Sequence, residues 1–212
     1  MPSLGQLLAS RRSALLLDAA SSRIQVGWLK GDADLDRWTS TDEEAGTGLF
    51  RCLDTLGVSP TEPEVYLYCE GPGSILGIRT VAMALRTWCV LQPKPVFAYT
   101  SLALVAHAAK RPGATVIADA RRESWHTFRL GASLQRVPTS GLPGELIMPD
   151  RFRHWSALPA GVQLTPYAVP DLLRDAGDAD LFHPSETPDA FLHEDPSYVT
   201  WTPQIHRAPT SS

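Results

Sequence analysis

The sequence predicts an α/β protein whose strands form a mixed sheet in two unequal lobes. Three observations carry that expectation. The first strand-length apolar run, Ala14 to Leu17, is continuous rather than alternating, which marks a buried strand, whereas the second, Ile24 to Leu29, alternates. The first two runs are joined by only five residues, Ala19 to Arg23, enough for a hairpin and too few for a crossover, whereas later runs are separated by helix-length segments, as parallel strands require. Finally, 11 of the 18 prolines fall after residue 137, where such a density breaks helices and central strands into short pieces.

Taken in order, residues 1–13 read as a short, partly frayed extension. Ala14-Leu15-Leu16-Leu17-Asp18 is a buried strand ending in an acid, Ala19-Ala20-Ser21-Ser22 is a tight turn, and Ile24 to Leu29 pairs back on the first strand. A third strand is expected near residues 34–39. Thr41-Asp42-Glu43-Glu44 opens a helix with a capping residue and acids, and Gly57 closes it after Leu56. Its apolar face is Leu49, Cys52, Leu53 and Leu56. A buried strand over 64–69 leads into Gly71-Pro72-Gly73-Ser74 and a helix from Ile75 to about Val90. A short strand at 96–98, a small-residue helix capped by Ser101 and ended by Pro112-Gly113, and paired strands at 114–119 and 124–130 follow. Beyond Gly131 short edge strands, one helix over 169–175 and a long irregular, mobile end are expected. No internal repeat is visible at the roughly 20–50-residue periods of solenoid and propeller units.

The 212 residues are 43% hydrophobic and 20% charged, and a chain near this size buries roughly 70% of its unfolded surface. Nineteen basic residues against 23 acidic ones, a net charge of −4 and a pI near 5.8 argue against a chain that grips nucleic acid by itself. No apolar run approaches the ~20 residues that span a bilayer; residues 81–96 are interrupted by Arg86, Pro93, Lys94 and Pro95. Three cysteines, Cys52, Cys69 and Cys89, sit in apolar contexts without CxxC spacing, the pattern of free thiols. With no secretory signal legible either, the expected setting is the cytoplasm, with no membrane role.

Four segments invite a chemical reading. In Gly71-Pro72-Gly73-Ser74 the glycines and proline set a tight strand-to-helix turn, and Ser74 can cap the helix. A helix N-terminus also attracts anions, but no Lys-Ser/Thr follows and the third glycine is one place too late for a dinucleotide fingerprint. The helix behind this loop has a core stripe of Ile75, Ile78, Val81, Ala82, Leu85 and Cys89. Its far side carries Leu76, Gly77, Thr80, Met83, Ala84, Thr87 and Trp88, with only Arg79 and Arg86 charged. A surface helix should be polar there, so that side meets either a partner helix or another part of the chain. Asp18, at a strand end, reads as a catalytic or metal-binding acid or as a turn cap. Asp119-Ala120-Arg121-Arg122-Glu123 reads as a solvated hairpin end or as a recognition loop in which Arg121 pairs with a carboxylate. The six histidines, His193-Glu194 included, lack zinc-ligand spacing, so no metal site is expected. No G-x-S-x-G elbow is present.

Together, Leu15 to Ser22, Gly71-Pro72-Gly73-Ser74-Ile75-Leu76-Gly77-Ile78-Arg79, Thr100-Ser101-Leu102 and Asp119-Ala120-Arg121-Arg122 resemble, in order and spacing, the bacterial TsaB (YeaZ) family over residues 14–130. A weak echo of that family's terminal motif lies at Pro196-Ser197-Tyr198-Val199-Thr200. The Phe-Thr of the family's GPGSFTGLR signature is Ile75-Leu76 here, its early Asp-Thr-Ser is Asp18-Ala19-Ala20, and Glu43-Glu44-Ala45-Gly46 lacks the usual histidine-serine helix start.

The resemblance implies an actin-like, Hsp70-like (ASKHA, RNase H-like) architecture. Its N-terminal lobe would span 14–98, and the reduced second lobe and proline-rich end 99–212. It also implies a non-catalytic subunit that pairs with a TsaD-like catalytic subunit to place threonylcarbamoyl on an adenosine of tRNA, with tRNA reached only through the complex. Pairing would use the helices around 43–56 and 75–90, with Leu76, Gly77, Thr80, Met83, Ala84, Thr87 and Trp88 as contacts and Arg79 and Arg86 as rim charge. No catalytic residue and no cofactor is assigned to the chain itself. Asp18, Ser21, Ser22 and Asp119 would be a vestigial nucleotide site, with ATP or ADP at a subunit boundary left open. The competing readings are a divergent nucleotide-binding enzyme working through Asp18, Ser74 and Asp119, and a self-associating module whose apolar helix face pairs with its own copy.

Overall fold

A computed structural model describes residues 1–32 and 34–191. In chain order the elements begin with α1 (Leu4–Ala9), β1 (Ala14–Asp18), β2 (Ile24–Leu29), β3 (Arg37–Thr41) and α2 (Ala45–Leu56). There follow β4 (Val65–Gly71), α3 (Ile75–Leu91), β5 (Val96–Thr100), α4 (Ser101–Ala109), β6 (Thr115–Asp119) and β7 (Ser124–Phe128). Then come β8 (Gln135–Pro138), a 3-10 turn at Thr139–Gly141, β9 (Leu146–Pro149), β10 (Gln163–Thr165), α5 (Val169–Ala176) and β11 (His183–Pro184).

The strands form two mixed sheets. The first runs β11-β5-β4-β1-β2-β3, with β1, β2 and β3 antiparallel and β1, β4 and β5 parallel. The second runs β10-β9-β6-β7-β8. There β6, β7 and β8 are antiparallel and β6, β9 and β10 parallel. The two sheets therefore share one strand order and direction pattern, an antiparallel meander followed by parallel additions. This is the RNase H-like strand plan of the actin-like fold, used twice. The duplication is invisible in sequence because the crossovers differ. In the first sheet α2 and α3 precede β4 and β5, whereas in the second the connections into β9 and β10 carry no α-helix. The second unit is reduced in this sense, and Pro143 and Pro159 sit in those connections.

Why the apolar runs are continuous is now plain. Leu15 and Leu17 of β1 pack with α2 and α3 residues such as Leu53, Val81 and Leu85 on one face. Leu16 packs on the other face with Leu102, Val105 and Ile117. Every residue of β1, and nearly every residue of β4, is buried. Helix α4 lies between the sheets, touching β4 and β5 of the first and β6 and β7 of the second, with α5 alongside.

Several local expectations are corrected. Residues 1–13 contain a helix: Ser3 and Gln6 form a capping box, and Leu7 is buried. Thr41 does not cap α2 but continues β3 opposite Ile24, so the helix opens at Ala45 with no side-chain cap. Asp42 instead holds Arg23 and Arg151. Ser101 is the first residue of α4 rather than its cap, and its hydroxyl donates to the Pro72 carbonyl at 2.6 Å. The α4 C-terminus is a left-handed Lys110, ahead of Pro112. β9 is not an edge strand, because β6 and β10 flank it on either side. His193, Glu194, the motif at 196–200 and the end expected to be mobile lie outside the described residues.

Candidate functional site

The strand-to-helix loop after β4 is built by close approach. Gly71 adopts φ +114°, a conformation that favours glycine. A Cβ on Gly73 would lie 2.3 Å from the Ala20 carbonyl oxygen, and one on Gly77 2.3 Å from that of Ala19. Both glycines thus let the loop and the first turn of α3 seat on the β1–β2 turn. The Ser74 amide donates to the Ala20 carbonyl at 2.7 Å, and the Gly77 amide to Ser74 Oγ at 3.4 Å. Ser74 caps α3 as expected. Two amides that an anion would use are committed to the chain itself, so the geometry favours the structural turn.

Asp18 lies beneath this turn, fully buried. Its Oδ1 accepts the Ala20 amide at 3.0 Å, and its Oδ2 accepts the hydroxyls of Tyr99 at 2.6 Å and Tyr167 at 2.7 Å. Burial pushes the Asp18 carboxyl above its ordinary range, and the hydrogen bonds from Tyr99, Ala20 and Tyr167 oppose that rise. The same burial holds the Tyr99 and Tyr167 hydroxyls and the Cys69 thiol in their protonated forms. Gln25 extends the network: its side chain donates to the Tyr167 carbonyl and accepts the Val169 amide. Asp18 therefore acts as a buried junction that joins β1 to β5 and to the segment entering α5.

The remaining residues of the expected nucleotide site are also engaged by their own chain. Ser21 closes a turn with Arg23, and the Ser22 amide donates to the Arg151 carbonyl. Asp119 stands at the end of β6, in the other sheet, accepting amides of Arg121, Trp155 and Ser156. Partial burial pushes its carboxyl up, but those amides outweigh burial and hold it below the usual carboxylate range. Among the described residues no contact joins Asp119 to Asp18, Ser21 or Ser22, and none of their Asp, Glu, His and Cys side chains group as a metal site.

The outer side of α2 and α3 is different. Phe50, Leu76, Arg79, Thr80, Met83, Ala84 and Thr87 line one shallow groove there. Leu76 is 77% exposed, Met83 57% and Phe50 50%. Thr80 and Thr87 turn their hydroxyls back to the Leu76 and Met83 carbonyls, which leaves their methyls to the groove. The patch is thus apolar at its two threonines, and among the described residues Arg79 is the one charged member of its lining.

Six assignments on α3 are corrected. Gly77 faces the β1–β2 turn, and Trp88 is buried with its ring 5.9 Å from that of Tyr66, so neither is on the outer side. Ile75, expected in the core, is exposed, and Cys89 is only half-buried. Arg79 and Arg86 are not free rim charges: both reach Asp189, at 3.8 and 3.3 Å. Phe50 belongs to the groove but was not singled out from sequence. A large apolar residue on the polar side of an otherwise amphipathic helix was its signal.

The site is thus an apolar helix pair left uncovered by the described residues, on an actin-like two-sheet fold in which Asp18 and Asp119 are bonded to their own chain. That fold is shared with known structures. YeaZ from Pseudomonas aeruginosa superposes with a TM-score of 0.56 at 19% identity, covering 76% of this chain and 89% of that one. A second structure, described as an uncharacterized protein with similarity to peptidase YEAZ from Pseudomonas aeruginosa, gives 0.55 at 20%, over 77% and 89%. No family model matches the chain, and no curated protein does. No helix among the described residues is long and apolar enough to cross a membrane.

Proposed function

We propose that this chain is a non-catalytic subunit of the TsaB (YeaZ) type. It pairs through the outer side of α2 and α3 with a TsaD-like catalytic subunit in the threonylcarbamoyl modification of a tRNA adenosine. The observation that carries this reading is the groove of Phe50, Leu76, Met83 and Ala84. Contiguous exposed apolar surface of this kind marks an interaction site, and helices meet closely where small residues such as Ala84 and Thr80 lie between larger ones. The YeaZ fold supports the choice of partner, as do the motif residues Gly71 to Arg79.

A non-catalytic role agrees with the state of Asp18. Its carboxylate oxygens already accept three hydrogen bonds from the chain, leaving little to offer a metal-bound phosphate. The divergent-enzyme reading, which needs Asp18, Ser74 and Asp119 together, is correspondingly disfavoured. Nucleotide, where it takes part, belongs at the subunit boundary. The same exposed groove also suits a second copy of the chain, so self-association is the competing outcome when the catalytic subunit is absent. The proposed setting is the cytoplasm.

Affinity purification of the tagged chain from its native cells, with mass spectrometry of the eluate, tests the reading. Recovery of a TsaD-like subunit in near-equal amount supports it. Recovery of the chain alone, as a dimer or bound to magnesium nucleotide, refutes it in favour of the corresponding alternative.

A further inference from the structure

Among the described residues, none of the loop after β6 lines the α2–α3 groove. Charge is unevenly distributed along the chain. Residues 110–153 carry eight basic and four acidic side chains, a net +4, within a chain whose total is −4. Arg121 and Arg122 stand at the tip of the β6–β7 hairpin, and Arg153 lies two residues before Trp155, on the loop after β9. All three arginines are exposed, and none has a carboxylate within ion-pair distance among the described residues.

The two loops are fastened together. Asp119 accepts the Arg121 amide on Oδ1 and the Trp155 and Ser156 amides, both at 2.7 Å, on Oδ2. The hairpin tip is closed by the Ala120 amide to the Ser124 carbonyl, and Arg136 donates to the Ala120 carbonyl from β8. One consequence is that the Arg121 guanidinium lies over the Trp155 ring, 4.4 Å from its centroid, although Trp155 is 61% exposed. The ring is held at the surface by the bond from its own amide to Asp119, with the Arg121 guanidinium on one face. The one carboxylate of the tip besides Asp119 is Glu123, whose carbonyl is held by Thr139.

We infer that the Arg121–Trp155 pair, with Arg122 and Arg153, is a contact surface for RNA. Arginines without local counter-ions bind phosphate oxygens, and an exposed indole gives an unpaired base a face to stack on. A guanidinium-rich loop alone suits any polyanion; the exposed ring beside it adds the stacking face that unpaired RNA bases use. Residue charge elsewhere keeps binding by the isolated chain weak, which suits a subunit that adds one contact to a larger assembly. The inference deepens the tRNA-modification reading, and rests on it for the biological RNA, but its test requires no second subunit.

The test is a titration of the isotope-labelled chain with an unmodified tRNA transcript, at low salt, followed by NMR. The expected result is a saturable shift of the Trp155 indole signal and of the 119–124 amides. Reversing Arg121→Glu and Arg153→Glu together should weaken binding at least tenfold and flatten its salt dependence. Trp155→Ala should weaken binding while leaving the salt dependence unchanged, because it removes stacking and no charge. Absence of the shift in the wild-type chain overturns the inference, as does equal binding by the charge-reversed chain. Equal shifts from polyglutamate of matched charge also overturn it, in favour of an acidic protein partner. Failure of the chain to capture a catalytic subunit leaves these readouts intact, so the two ideas fail separately.

Discussion

The Tyr167 hydroxyl donates to Asp18 Oδ2 at 2.7 Å, joining residues 149 apart in the sequence. Tyr99 donates to the same oxygen from β5, so one buried carboxylate holds together the first sheet and the segment that enters α5. Tyr167→Phe keeps the ring and removes one donor to a buried acid, so it should cost about 1–3 kcal/mol. The cost should depend on pH in a defined direction. Burial raises the folded-state pKa of Asp18, so its favourable protonated form is fully present below the unfolded value and is lost as pH rises through the folded one. Removing a bond that favours the ionised form raises that pKa further, and the deficit of the variant should be larger at pH 7 than at pH 4. Urea denaturation of both proteins at the two pH values measures it; a pH-independent difference would contradict the role given to Asp18.

The seating of α3 on the β1–β2 turn gives a second expectation. Gly77→Ala places a methyl against the Ala19 carbonyl, a backbone atom that cannot rotate away. Overpacking of this kind costs about 1–3 kcal/mol, seen as a lower thermal midpoint. Gly113→Ala, where nothing lies within 4 Å, serves as the control and should leave the midpoint unchanged.

At the end of β4, Glu70 Oε2 lies 3.2 Å from His183 Nε2 on β11, and both side chains are largely shielded. The hydrogen bond to Glu70 raises the His183 pKa above 6.5. The pair's contribution is therefore full below pH 6.5 and lost as pH rises through the folded value. His183→Gln should lower the thermal midpoint more at pH 5.5 than at pH 9. An equal loss at both would show that the imidazole is not charged in this pair.

Much of this architecture was legible. The unbroken apolar run of β1 meant burial on both faces, and Gly57 ends α2 in the left-handed conformation expected of a helix-closing glycine. The loop glycines marked a tight turn, although Gly77 could not be placed inward until the turn it touches was known. Trp88 escapes the helical wheel for a related reason: the wheel gives angles but not how much of the helix circumference the sheet covers, and Tyr66 of β4 reaches the Trp88 ring. The hub around Asp18 left no trace, because Asp18, Tyr99 and Tyr167 share neither period nor spacing. Arg79 and Arg86 looked like rim charge until Asp189, more than a hundred residues on, was found between them.

The pairing surface is the central claim, and one binding measurement tests it most directly. Ala84 is half-buried in the floor of the groove, on a helix whose inner residues hold the fold. Ala84→Arg puts a long charged side chain into the surface proposed for pairing. Titration calorimetry of the wild-type and variant chains against a purified TsaD-like subunit, with thermal midpoints recorded for both, gives the answer. The account predicts at least ~30-fold weaker binding, the scale of a central interface position, at an unchanged midpoint. Equal affinity for the two chains would contradict it and remove the α2–α3 groove from the assembly.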